Sequence, residues 1–213
     1  MKKLNIIITV FGTTVLLFFC GNNALSQQIK IGSQTWSTKN LDVSSFRNGE
    51  AIPEARTNAE WQKAGEEGNP AWCYYDSDPA NGTRYGKLYN WYAVNDTRGL
   101  APKGWHIPSD DEWTTLTGHL GGDGSGNQMK TSSGWKDNGN GSNSSGFAGL
   151  PGGYRNDDGT FYNIGAFGYW WSSSEYGTYG AWNRVLYFND GNVVRTNIFY
   201  FKEDGFSVRC LGD

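Results

Sequence analysis

The stretch 99–122, GLAPKGWHIPSDDEWTTLTGHLGG, constrains this chain more than any other, because a start, a helix and a stop can all be read in it. Ser109 followed three residues later by Glu112 is a capping box. The serine hydroxyl accepts from the amide of Glu112, and the carboxylate reaches back to the amide of Ser109. Asp110 and Asp111 fall in the first turn, where the helix dipole favours negative charge, and Pro108 blocks extension backwards. Trp113, Leu116 and Leu120 recur at i, i+3 and i+7, one face of a helix. Gly121 and Gly122 supply the stop. The pattern predicts a helix over 110–120 with Trp113 turned into the core. It reads the acids as capping groups in preference to catalytic ones.

The same grammar recurs once. Thr57, Glu60 and Trp61 predict a short helix over 58–64, stopped by Gly65. Elsewhere the signals are those of strands and turns. Residues 28–36 read as an opening hairpin around a Gly-Ser turn with Trp36 inward, 39–43 as a further short strand, and 71–75 as a buried strand carrying Cys73. The segment 85–95, YGKLYNWYAVN, is ambiguous: helical spacing at Leu88, Trp91 and Tyr92 favours a helix packed against the central one, yet its aromatics also suit a strand. From 121 to 153, glycine, serine and asparagine dominate. This reads as a surface loop in which Trp135 stands alone, with structure returning over 147–154. Strands are expected at 169–174, 181–188, 193–198 and 205–211, with Asp190-Gly191 at the centre of a hairpin turn. Together with the opening hairpin they predict one antiparallel sheet and chain ends that lie close together.

Residues 1–26 carry the pattern of a secretory signal: Lys2 and Lys3, a mostly apolar run over 6–19, and Ala24-Leu25-Ser26 as a cleavage site. The run is short for a membrane span, so no transmembrane span is expected once the signal is removed. A competing reading lipidates Cys20, although Phe19 is larger than the small residue such a site wants. Cleavage after Ser26 leaves one domain, 27–213, which holds all ten Trp and both His. It also removes two lysines from a chain whose formal net charge is already −3. Nothing basic is clustered to meet phosphates, which argues against a nucleic-acid partner.

Two cysteines remain in the domain, Cys73 and Cys210. Export favours a disulfide between them, worth roughly 5 kcal/mol in the chain-entropy account for so long a loop. The alternative is two buried thiols. Asp76, Asp78 and Asn81 place oxygens ahead of Gly82 as the start of a calcium loop does, but without the closing glutamate. The same residues suit a plain turn. No other cofactor is suggested.

GKLYNWYAV, GWHIPSDDEWTTL, FAGLPGGYR, YWWSSSE and GFSVRCL stand in an order and spacing that resembles the Fibrobacter succinogenes major paralogous domain, over nearly all of 28–213. More distantly, HIPSDDEW is similar to the RLPTEAEW phrase of formylglycine-generating enzymes, a group similar in turn to C-type lectin domains. The resemblance implies a mixed α+β, C-type-lectin-like fold, with two helices packed on a small twisted antiparallel sheet and long loops around it. It also implies export and no established activity. The catalytic cysteine pair of formylglycine-generating enzymes has no counterpart, and Trp182-Asn183 is followed by Arg184 where calcium-dependent lectins carry Trp-Asn-Asp. Neither activity is carried over.

The expected function is therefore an exported, non-catalytic binding or adhesion module of the cell envelope. Its ligand, glycan or protein, would meet aromatic side chains at Trp170, Trp171, Tyr176, Tyr179 and Trp182. Trp170 and Trp171 are adjacent on a strand and point to opposite faces, so only one is expected in the core. A second reading is a hydrolase of envelope polysaccharide, which needs two facing carboxylates. Asp157, Asp158, Glu175 and Asp190 are loop acids of the right type, whereas His106 and His119 stand beside no nucleophile. A third is a structural envelope lipoprotein held through Cys20.

Overall fold

The computed structural model describes residues 27–197 and 200–213. The signal-like segment, its Ser26 junction, Cys20 and the last residue of the expected 193–198 strand lie outside the described residues. In chain order the elements are β1 (Gln28–Ile31), β2 (Gln34–Ser37), α1 (Asn58–Glu66), β3 (Trp72–Cys73), α2 (Pro79–Tyr85), β4 (Leu88–Tyr89), α3 (Trp91–Val94) and β5 (Trp105–His106). They continue with α4 (Asp110–His119), α5 (Gly126–Met129), β6 (Gly152–Arg155), β7 (Phe161–Ile164), β8 (Phe167–Tyr176), β9 (Gly180–Tyr187), β10 (Val193–Thr196) and β11 (Leu211–Gly212). The class is mixed α+β. Among the described residues there are five short helices rather than two, and the strands form several sheets instead of one.

Both capping boxes form. Ser109 accepts from the Glu112 amide while Glu112 accepts from the Ser109 amide, and Thr57 and Glu60 do the same for α1. The opening hairpin pairs Ile29 with Trp36. Leu211 then pairs with both Trp36 and His106, so the beginning and the end of the described chain share the sheet β1-β2-β11-β5. Of the expected closing strand only its last residue is in a ladder; Gly205, Phe206 and Ser207 form single bridges, and the carbonyls of Val208 and Cys210 accept from Leu41 and Ser37. The segment 39–43 is not a strand, although Leu41 donates to Val208 O.

The larger sheet has the order β10-β9-β8-β6-β7. It is antiparallel except where β6 meets β8 at Gly153 and Gly168. A Cβ on Gly168 would come within 2.5 Å of Leu150 O and the Trp170 ring, and one on Gly153, whose φ is +65°, within 2.5 Å of Tyr162 O. Only glycine admits this approach.

This sheet is covered on both faces. Trp170 joins Trp36, Trp113, Phe147 and Leu186 in one cluster, under α4. Trp171 joins Tyr89, Trp91, Val185 and Phe206 in another. The two Trp rings are 1 % and 0 % exposed. The expectation that only one of them is core is therefore wrong, because adjacent residues on a two-sided sheet both find a core. Trp113 is fully buried, 4.8 Å from the Trp36 ring, as expected; its burial is worth about 4–6 kcal/mol by area. The 85–95 segment is corrected. It holds β4 and the single turn α3, whose Trp91, Ala93 and Val94 lie in the Trp171 cluster, across the sheet from α4.

The 121–153 stretch is also more ordered than glycine content suggests. It contains α5 and two 3-10 turns, and Trp135 and Phe147 are core residues. The loops are held by side-chain donors. Indole N–H groups of Trp72, Trp91, Trp113, Trp135 and Trp171 donate to the carbonyls of Ile52, Ser172, Trp171, Gly149 and Tyr89. Buried Arg155 donates to Ala55 O and Gly159 O, and buried Arg209 to Ser37 O, Phe147 O and Ala148 O. Loop carbonyls such as those of Ile52, Ala55, Gly159, Phe147 and Ala148 are thereby satisfied, while Tyr89 O and Gly149 O take an indole in addition to a backbone amide.

Candidate functional site

Of the five aromatics expected at a ligand surface, Trp170 and Trp171 are removed by burial, each with its indole N–H committed inward, to Asn40 Oδ1 and Tyr89 O. The other three stay together at the outer end of the β8–β9 hairpin. Tyr176 is 52 % exposed and Tyr179, in the turn, 72 %. A register shift between Trp171 and Glu175 separates this outer end from the core part of the hairpin, as β-bulges next to functional surfaces commonly do.

Trp182 is half-buried between two neighbours. The Tyr176 ring meets it edge-on at 5.0 Å between centroids, and the Arg195 guanidinium carbon lies 3.4 Å from its ring centre. Arg195 is fixed in turn by Asp110, through Nε at 3.0 Å and Nη2 at 2.7 Å to Oδ2. Asp110 Oδ1 also accepts from Nη1 of buried Arg184 at 2.7 Å. Burial pushes the Asp110 carboxyl up, and the hydrogen bonds from Arg195 and Arg184 more than reverse this, leaving it below the ordinary carboxylate value. The first residue of α4 thus positions a cation on an indole face, a favourable arrangement. The surface presents Tyr176, Tyr179 and the half-exposed Arg195 guanidinium.

An acidic cleft adjoins this tip. Lys202 ties the two together: its amide donates to Tyr179 O at 2.9 Å, and its ammonium to Thr178 O and to the Glu175 carboxylate. The next residue back, Phe201, is 46 % exposed. With Gln62 and Glu66 of α1, Asp157 and Asp158 of the β6–β7 turn, and Glu203, it lines a cleft of about 330 Å³. Asp158 is held below its ordinary value by the hydroxyl and amide of Thr160. Glu203 Oε1 accepts from the Tyr92 hydroxyl at 3.0 Å, whereas its buried Oε2 has no partner among the described residues. Behind them Asp204 is fully buried, and burial pushes its carboxyl up to about 8.

Of the four loop acids read from sequence, Asp157 and Asp158 therefore converge. Glu175 instead pairs with Lys202, and Asp190 accepts from the amide of Asn192 in its own turn. Glu66 and Glu203 were not legible as partners, because nothing local ties a helix face to a turn a hundred residues on. His106 bridges Glu112 at 2.9 Å and Asp213 at 2.8 Å, and His119 stands in the last turn of α4.

Asp78 caps α2 by accepting from Ala80 N, Asn81 donates to Tyr75 O, and Asp76 sits in a tight 3-10 turn at φ 55°. Among the described residues no group of three or more His, Cys, Asp or Glu side chains is placed to hold a metal ion. Cys73 and Cys210 are not bonded. Both are free buried thiols in different clusters, one beside Leu88 on the β3–β4 pair and the other under the β2–β11 edge. Burial pushes both up to about 12.

No helix of the described residues is long and apolar enough to cross a membrane. No curated protein and no solved structure matches the chain, so the more distant likeness to formylglycine-generating enzymes and C-type lectins gains no support there. The family model described as the Fibrobacter succinogenes major domain matches residues 29–211, and the chain belongs to that family.

Proposed function

We propose that this protein is a non-catalytic binding module, exported by the signal read in residues 1–26. It takes a protein or glycan ligand through the hairpin tip and the adjoining Phe201 edge. One observation carries the reading. Among the described residues the large hydrophobic side chains left exposed are Tyr162, Tyr176, Tyr179 and Phe201, and three of these four belong to this one surface. Tyr, Trp and Arg are the residues that dominate binding energy at interfaces, and a guanidinium pinned on an indole loses little freedom on binding. The same groups suit sugar rings, which stack on an aromatic face while their hydroxyls meet carboxylates.

The test is a comparison of the wild-type domain with a Tyr176→Ala/Tyr179→Ser variant, first on a glycan array and then by surface plasmon resonance with any glycan or envelope protein recovered. Both residues are exposed, so stability should change by no more than about 0.5 kcal/mol. Affinity should fall at least roughly tenfold if the pair is central to binding. Equal binding by the variant, or no binding to either ligand class by the wild type, would sink the proposal.

The hydrolase reading has one observation in its favour, the shared cleft of Glu66, Asp157, Asp158 and Glu203. Against it, Asp158 is shifted in the wrong direction for a general acid at neutral pH. Incubation with envelope polysaccharides should release no new reducing ends. Release that disappears in Asp157→Asn or Glu203→Gln would favour catalysis instead.

A further inference from the structure

A second cavity, of about 400 Å³, lies among residues 38–42, the end of α2 and the 131 and 148–150 loops. Its lining is polar and, for an acidic protein, locally cationic. Lys39 and Arg84 are both exposed at it and have no hydrogen-bond or ion-pair partner among the described residues; Arg84 only rests 5.1 Å above the neighbouring Tyr85 ring. The one acid in the lining, Asp42, already accepts from the buried Lys87 ammonium at 2.5 Å. Thr38 and Thr83 add hydroxyl groups to the rim, whereas the Asn40 amide is turned inward, to Tyr85 O, Ser207 Oγ, Trp170 and Arg209.

Behind this wall lies a charge that the fold leaves without a counter-ion. Arg209 is fully buried, and its partners are all neutral: Asn40 Oδ1 from Nε at 2.7 Å, Ala148 O from Nη2 at 2.8 Å, and Ser37 O and Phe147 O from Nη1. Its five N–H groups find four acceptors; the second proton on Nη2 has none among the described residues. Nε and Nη2 face Asn40 and Ala148, the two partners that line the cavity. Desolvation lowers the guanidinium to about 9. A buried cation without a carboxylate is costly, and an anion in the adjoining cavity would offset that cost through a wall one residue thick.

We infer that this cavity binds the oxyanion of a ligand, a phosphate, sulfate or carboxylate group, with Lys39 and Arg84 as its direct contacts and Arg209 as the fixed positive charge behind them. The threonine hydroxyls of the rim suit the hydroxylated body of an acidic sugar bearing such a group. This site stands apart from the aromatic surface, so either assignment can fail without the other.

The test uses the whole domain and three probes at constant ionic strength: inorganic phosphate, inorganic sulfate and glucuronate, with chloride as the reference. Thermal shift and side-chain NMR of Arg84 should show saturable binding of at least one probe. Lys39→Gln/Arg84→Gln should weaken it by roughly tenfold or more, since each charge-assisted contact is worth about that factor. A charge-matched control, Lys63→Gln/Lys103→Gln, should bind like the wild type. The probe that binds tightest identifies the group: phosphate or sulfate for an ester, glucuronate for a sugar acid. Equal responses to all probes and chloride, or equal affinity in the cavity and control variants, would overturn the assignment.

Discussion

Replacing Asp110 by Ala should be among the most destabilising single changes open to this protein, and its cost can be worked out contact by contact. Arg184 is 2 % exposed and directs its guanidinium at Asp110 Oδ1, with Asp110 O and Thr114 Oγ1 taking further protons at 3.1 Å. Removing the carboxylate leaves a buried cation with neutral acceptors only, at a cost of about 3–5 kcal/mol. Arg195 adds little, about 1 kcal/mol at most, because its side chain is 47 % exposed and water screens the pair. Loss of one first-turn charge adds a few tenths, since Asp111 and Glu112 remain. The total, about 3–6 kcal/mol, is a large part of the stability of a domain this size. Urea denaturation followed by tryptophan fluorescence reads it directly. A second substitution, Arg184→Met in the Asp110→Ala background, should recover about half of the loss, because the orphaned charge and not the missing contact is the main term. The folded pKa of Asp110 is depressed, so the wild-type contribution is full above the ordinary carboxylate value and fades as pH falls through the lower folded one; the variant should lack that acid-side decline. A loss under about 1 kcal/mol at unchanged m-value, or no recovery in the double variant, would refute the reasoning.

His106 is held above its ordinary value: burial lowers it, but the carboxylates of Asp213 and Glu112 more than compensate. A raised pKa stabilises fully below the unfolded value and is lost as pH rises through the folded one. The urea midpoint should therefore decline from about pH 6.5 upwards, and His106→Asn should flatten that decline; an unchanged slope would remove the histidine from the account. Trp135→Ala should cost about 3–5 kcal/mol, as a core truncation does, because the ring is 4 % exposed and donates to Thr131 Oγ1 and Gly149 O; a change within about 0.5 kcal/mol would return it to the surface. Cys73 and Cys210 should resist thiol reagents in the folded domain, react after unfolding, and show no change in melting temperature on reduction; a mass lower by a pair of hydrogens before reduction would show a bond instead.

What could be read in advance was local. Ser109, Glu112 and Trp113 announce α4 within five residues, and Asp190-Gly191 announces the β9–β10 turn, because caps and tight turns depend on neighbours in sequence. Contacts between distant segments left no such trace. The burial of both Trp170 and Trp171 depends on α3 and α4 lying on opposite faces of one sheet, which neither residue encodes. Trp135 reads as a surface-loop residue because its neighbours are small and polar. The ring nevertheless closes a cluster built by β8, β9 and α4. Tyr176, Tyr179 and Trp182 were found by type and proximity along the hairpin. Arg195, which completes their surface, reaches Trp182 across strands from the far side of a turn. The arginine behind the second cavity reads as an ordinary member of the closing strand until its carbonyl partners are seen.

The side-chain donors that hold the loops act on only one half of the peptide unit. An indole or guanidinium that grips a C=O leaves the neighbouring N–H to other partners, and along 147–149 these are supplied in turn: Phe147 N–H donates to Ser145 Oγ, Ala148 N–H to Asn143 Oδ1 and Gly149 N–H to Met129 O. Amide deuterium uptake should therefore be slow there, although the stretch belongs to no strand or helix. In this protein, slow labelling would map the clamped loops as well as the strands and helices.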